Sequence, residues 1–198
     1  MLMDAISLTQ QDGSLYGDSK LDTKALLDTF LQSVQARAYR IAQIAVGNSE
    51  DALDLVQDAM FKLVEKYSDR PEAEWTPLFY RILNSRIHDF YRRNQVRNRH
   101  RSWLGSYDED GEDPVQTAPD PAAQSPEQNS LTAQSMDRLQ DVLAQLPLRQ
   151  QQAFLLRAWE GLDVRQTAAV MECAEGSVKT HYSRAIHSLR EQLGEHWP

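Results

Sequence analysis

Leu162–Leu193 reads LDVRQTAAVMECAEGSVKTHYSRAIHSLREQL, and its pattern predicts a helix over Val164–Met171, a short turn, and a second helix over Ser177–Leu193. Ala168 is small where two crossing helices must approach closely, and Val178, ten residues later, supplies the apolar contact that packs the second helix onto the first. This is the helix-turn-helix pattern. On the second helix Lys179, His181, Arg184, His187 and Arg190 are not offset by an acid until Glu191, and a basic helix held at an angle to its partner fits the major groove of duplex DNA. A two-helix corner also fills small helical cores, so the reading needs a second signal. Glu172 stands where such a turn commonly takes glycine, which predicts a strained or altered turn. Cys173, next to it, reads as a small core residue rather than a redox sensor. His181 and His187 are six apart with no other close ligand, which excludes a metal site there.

The second signal is Tyr80–Arg101, YRILNSRIHDFYRRNQVRNRHR, where Arg81, Arg86, Arg92, Arg93, Arg97, Arg99 and Arg101 face one acid, Asp89. Arginine suits phosphate because its planar fork donates two hydrogen bonds and its charge does not titrate away. Tyr80, Phe90 and Tyr91 lie among these arginines as surfaces on which unpaired bases would stack. The whole chain of 198 residues nevertheless has a formal net charge of -8, so any polyanion is met by one face only. The single cysteine excludes an internal disulfide and points to a reducing cytoplasm. No apolar run approaches the roughly 20 residues that span a bilayer, and the first residues lack the pattern of a signal peptide.

Composition divides the chain. Residues 1–21 read as a disordered tail. Residues 22–103 read as three helices: one capped by Asp22 or Thr23 and stopped at Gly47-Asn48, one capped by Ser49 with Leu53, Val56, Met60, Leu63 and Val64 facing inward, and one starting at Thr76-Pro77. Residues 104–130 carry seven acids with Asp120 and Glu127 among them, four prolines and no Lys or Arg. They read as a flexible acidic linker, whose YDEDGED run lacks the spacing of a calcium loop. Residues 131–198 read as helical again, with Pro147 breaking the first helix before the helix-turn-helix. The expected fold class is all-α, two small helical domains joined by the linker.

These blocks, in this order, resemble a bacterial RNA polymerase sigma factor of the extracytoplasmic-function group in the sigma-seventy family. The resemblance is carried by ARAYRIA at Ala36–Ala42, GNSEDALDLVQDAMFKLVEKY at Gly47–Tyr67, LFYRI and IHDFYRR within Leu78–Arg93, and LPLRQQQAFLLRAWEGLDVRQTAAVM followed by EGSVKTHYSRAIHSLR. It implies a promoter-recognition subunit that acts on core RNA polymerase, touching the clamp helices of the largest subunit and the flap of the second-largest. It implies promoter DNA as the second partner and an anti-sigma factor as an optional third. The docking role falls on Asp54, Leu55, Gln57, Asp58 and Phe61, although Leu55 also reads as core. Minus-ten recognition and melting fall on Trp75, Arg81, Asn84, Arg86, His88, Arg92 and Arg93, with the loop Ser68–Thr76 holding bases; Trp75 reads equally as a lid on the core. Contacts to the minus-thirty-five element fall on Ser177, Lys179, Thr180, Ser183 and Arg184. The acidic linker then resembles an RNA mimic in the polymerase channel.

No nucleophile-base set, phosphate-cradling loop or zinc-ligand spacing supports catalysis, and no cofactor or metal is expected. Two other readings compete: a helix-turn-helix repressor or activator that binds duplex DNA without polymerase, and an adaptor that contacts protein without reading DNA.

Overall fold

The computed structural model describes residues 13–102 and 131–194, with side chains described over 23–95 and 138–194. All regular structure among these residues is helical: α1 (Gly13–Val46), α2 (Ser49–Tyr67), α3 (Glu72–Ser102), α4 (Leu131–Gln145), α5 (Leu148–Phe154), α6 (Val164–Met171) and α7 (Glu175–Leu193). The acidic linker expected over 104–130 and the cluster Arg97, Arg99 and Arg101 fall outside the described residues or side chains.

The first three helices form a bundle. α1 begins at Gly13, inside the stretch read as tail and well before the expected cap at Asp22 or Thr23. It ends where Gly47 takes φ +70, a left-handed geometry that glycine adopts without a Cβ clash. The cap of α2 is Asn48 rather than Ser49: its side-chain oxygen accepts from the amides of Glu50 at 2.8 Å and Asp51 at 3.2 Å. Those two acids also sit favourably against the helix dipole.

α3 starts one turn earlier than the proline suggested, at Glu72, so Pro77 lies inside the helix. The amide of Glu74 bonds the Pro71 carbonyl at 2.9 Å, which begins the turn upstream. Placed on a helix by this early start, Trp75 is buried against Phe30, ring centroids 5.7 Å apart, with Phe79 also packing on Phe30. Val34, Ala38, Ala59, Leu63 and Leu83 close the centre. Each large side chain so buried contributes about 1.5–3 kcal/mol.

The helix-turn-helix unit forms as expected. Asp163 and Gln166 make a reciprocal capping box at the start of α6, at 2.7 and 2.9 Å. Val178, Ala185 and Leu189 of α7 are fully buried, while Ala168 lies close to the crossing. α5 continues into one wide turn over Leu155–Trp159, after which the amide of Leu162 reaches back to the Leu156 carbonyl at 3.0 Å.

The two units share one continuous apolar core. α6 packs on α3 and α4 packs on α1. A small gap of about 10 Å³ between them is lined by Ile41, Tyr80, Asn84 and Gln152, among others, room for one water at most.

Candidate polymerase and nucleic-acid interfaces

The outer face of α2 mixes acids with unsheltered apolar groups. Asp54, Gln57 and Asp58 are exposed, and Phe61 stands 74% exposed beside them. Leu53 and Val64 were expected to face inward; they are exposed too, and by helical spacing they extend the face that carries Gln57 and Phe61. Leu55 turns out to be core, at 5% exposure. α2 is apolar on both sides, so its sequence pattern could not rank Leu53 against Leu55. Exposed phenylalanine and aliphatic groups on one helix face form the kind of surface that a partner helix can cover.

On α3 the arginines divide. Arg92 and Arg93 are exposed, Arg86 is half-buried with its Nε lacking a partner, and Arg81 is exposed but held. Arg81 donates from Nε at 3.0 Å and Nη2 at 2.9 Å to one carboxylate oxygen of Glu172 in the C-terminal unit. Asn84, only 7% exposed, donates to the Val170 carbonyl at 3.4 Å. Gln152 Nε2 and His88 Nε2 are 3.3 Å apart. Burial, then the nearby Arg149 cation, holds the His88 imidazole below its ordinary pKa.

The aromatic expectations are corrected here. Trp75, at 1% exposure, is a lid on the core and has no face free for a base. Tyr80 is equally buried, and Phe90 and Tyr91 are half-buried, with the Tyr91 hydroxyl donating to the Ala45 carbonyl. Burial pushes the Tyr91 phenol up to about 12. Helical aromatics near arginines looked like stacking platforms because their spacing also fits a core stripe, and the core claimed them. The base-holding loop shrinks as well, since residues 72–76 belong to α3.

α7 carries the second group of basic and polar residues singled out in the sequence. Lys179, Thr180, Ser183 and Arg184 are exposed together on its outer side, and Ser177 is half-buried in its first turn. Thr180 bonds its hydroxyl to the Gly176 carbonyl at 3.0 Å. No side chain caps the helix start at Ala174; the Ser177 amide bonds the Ala174 carbonyl at 2.9 Å, and the orphan amides ahead of it are of the kind that favour an anion. The turn ahead of it carries Glu172 at φ 51, ψ 48, the left-handed conformation that the sequence predicted would be strained. Cys173 is half-buried and free, with burial raising its thiol pKa. Among the described residues no cluster of His, Cys, Asp and Glu is placed to hold a metal, and no helix is long and apolar enough to cross a membrane.

An all-helical bundle packed on a helix-turn-helix unit, with an exposed apolar-acidic stripe on α2 and basic surfaces on α3 and α7, defines an all-α protein of the helix-turn-helix class. Comparison with known families is specific: the profile described as Sigma-70 region 2 matches residues 26–97, and that described as Sigma-70, region 4 matches residues 136–189. The chain belongs to the sigma-70 family of RNA polymerase sigma factors, in its extracytoplasmic-function group. It is 30% identical over 168 residues to an RNA polymerase sigma-E factor of Streptomyces coelicolor, covering 84% of this chain and 85% of that one. It is 26% identical over 181 residues to the ECF RNA polymerase sigma factor SigD of Mycobacterium tuberculosis, covering 87% and 78%. Among solved structures it resembles the sigma factor RpoE in complex with the anti-sigma factor NepR from Bartonella quintana, with TM-score 0.57, 26% identity, and coverage of 83% of this chain and 96% of that one.

Proposed function

We propose that this chain directs core RNA polymerase to promoters carrying two recognised elements and assists DNA opening between them, without catalysing a reaction itself. The observation that carries the reading is the placement of the two family matches, one on each structural unit, with a distinct exposed binding face on each.

In this reading the α2 stripe of Leu53, Asp54, Gln57, Asp58, Phe61 and Val64 docks on the polymerase. Apolar groups there supply affinity and the acids supply orientation and rejection of wrong partners. Arg81, Asn84, Arg86, His88, Arg92 and Arg93 on α3 serve the minus-ten strand and its phosphates. Pulling a base out of the duplex costs a few kcal/mol and needs compensating contacts, and with Trp75 in the core these polar groups must provide them. Lys179 and Arg184 read bases of the minus-thirty-five element in the major groove, each good base pairing being worth about 1–3 kcal/mol of discrimination. Ser177, Thr180 and Ser183 fix register on the phosphates. The site of action is the cytoplasm, where polymerase and chromosome meet. An anti-sigma partner fits the likeness to a sigma factor solved with one.

Run-off transcription with purified core polymerase on genomic DNA tests this. Discrete transcripts that require the chain, and that vanish with the Lys179→Ala, Arg184→Ala double variant, are expected. Tight duplex binding without polymerase and no transcript would show an ordinary repressor or activator instead. Transcripts unchanged by the double variant would show an adaptor.

A further inference from the structure

We propose that the C-terminal unit is an internal cover for the strand-binding face of α3, in which the Glu172 carboxylate takes the place of a DNA phosphate on Arg81 while the α7 face stays open. The inference rests on the DNA-contact roles assigned above to α3 and α7.

Arg81, Asn84 and His88 follow one another at helical spacing along one side of α3, and each meets the C-terminal unit: Glu172, the Val170 carbonyl and Gln152 respectively. Arg81 Nε and Nη2 both donate to one oxygen of the Glu172 carboxylate, charge-assisted contacts to an anion that occupy the two donors arginine would otherwise turn to a phosphate. The backbone at Glu172 supports the same conclusion. At φ 51 it occupies a conformation that glycine would adopt without strain, and a non-glycine residue held there points to a role for its side chain. The turn does not require a carboxylate, and the contact that the carboxylate makes is with Arg81.

The pair is well exposed, 57% and 66% at the two side chains, so it is weak and reversible. A strand whose phosphates compete for Arg81 can displace it once the units part. The α7 side chains Lys179, Thr180, Ser183 and Arg184 remain exposed in the same arrangement. In the covered chain Arg81, Asn84 and His88 are withheld from a single strand while Arg92 and Arg93 stay exposed, so the α3 face is weakened and the α7 face is open, an asymmetry between its two DNA faces. Apparent affinity for the closed face falls in proportion to the uncovered fraction.

The test uses the full chain and two fluorescent probes of mixed sequence, a short single strand and the corresponding duplex, followed by anisotropy at low salt. Wild type, Glu172→Gly and Glu172→Ala are compared; the first variant also suits the turn, which guards against misfolding. Both variants are expected to bind the single strand about two- to fivefold more tightly, the scale of an exposed ion pair, with duplex affinity unchanged. Equal single-strand affinity in all three proteins, absence of binding included, overturns the cover. An equal gain on both probes also overturns it, because that is the mark of removing a negative charge near any DNA. The run-off assay reports separately on the sigma-factor reading, and the mixed-sequence probes do not depend on its outcome.

Discussion

Arg37 of the N-terminal bundle places its Nε 3.8 Å from a Glu160 carboxylate oxygen that belongs to the C-terminal unit, and the Glu160 side chain is only 2% exposed. The second oxygen of that carboxylate and the nearby Tyr80 hydroxyl are both buried without a hydrogen-bond partner of good geometry. Burial first, and the Glu160 carboxylate second, raise the Tyr80 phenol far above its ordinary pKa. The seam between the units thus contains an acid that is desolvated and only partly compensated.

Removing either partner of such a pair has opposite consequences. Arg37→Ala leaves a buried carboxylate with no cation and is expected to cost about 1–3 kcal/mol. Glu160→Gln removes the charge, keeps the shape, and is expected to be nearly neutral or mildly stabilising. Urea unfolding of the full chain, comparing midpoints at constant m, checks both; equal losses for the two variants would refute the account.

The strain at Glu172 is measurable by subtraction. Glu172→Gly and Glu172→Ala both lose the Arg81 contact, but only glycine relieves the left-handed backbone. The glycine variant is expected to be more stable than the alanine variant by about 1 kcal/mol, read as the difference in unfolding free energy.

Phe61 and Leu55 separate docking from folding on one helix. Phe61→Ala is expected to leave the melting temperature unchanged and to weaken capture of core polymerase by about 2 kcal/mol or more. Leu55→Ala is expected to cost about 2–5 kcal/mol of stability by opening a cavity. Surface-immobilised polymerase binding together with calorimetry reads both quantities.

Trp75→Ala is a folding variant in this structure. Its expected cost is about 3–5 kcal/mol, whereas a base-stacking side chain would lose DNA affinity and leave stability intact. Denaturation and strand binding measured on the same preparation distinguish them.

Acid is expected to loosen the seam at His88. Burial and then Arg149 from α5 oppose its protonation, the Gln152 hydrogen bond favours it, and Arg92 and Asp89 on its own helix act less, Arg92 against and Asp89 for. Because its pKa is lowered in the folded chain, the unfolded or opened form takes up the proton first as pH falls below about 6.5, the ordinary histidine value. Stability is complete above that pH and declines below it. His181, lowered by burial and by Arg149 and Arg184, adds in the same direction. His88→Gln should flatten its part of the decline in unfolding free energy between pH 7 and about 5.

Much of this molecule is readable from sequence because local rules agree. The Gly47 stop, the Pro147 break and the α6–α7 corner each follow from a residue type whose backbone or packing demand admits few answers. Of the two sequence readings of Trp75 the core lid holds, and the sequence did not decide between them because a proline normally announces the first helical turn, whereas here the turn begins at the Pro71 carbonyl. The seam left no trace in the pattern. Arg81 and Glu172 are 91 positions apart, both polar and both exposed, so neither periodicity nor hydropathy links them. The basic face of α3 was visible through its charge, and what rests on it was not.

Asn84 donates its amide to a carbonyl of the neighbouring unit from a position also assigned to reading promoter bases. If the strand-contact role proposed for Asn84 holds, a single side chain answers to two masters, and substituting it acts at once on promoter contact and on the packing of the two units.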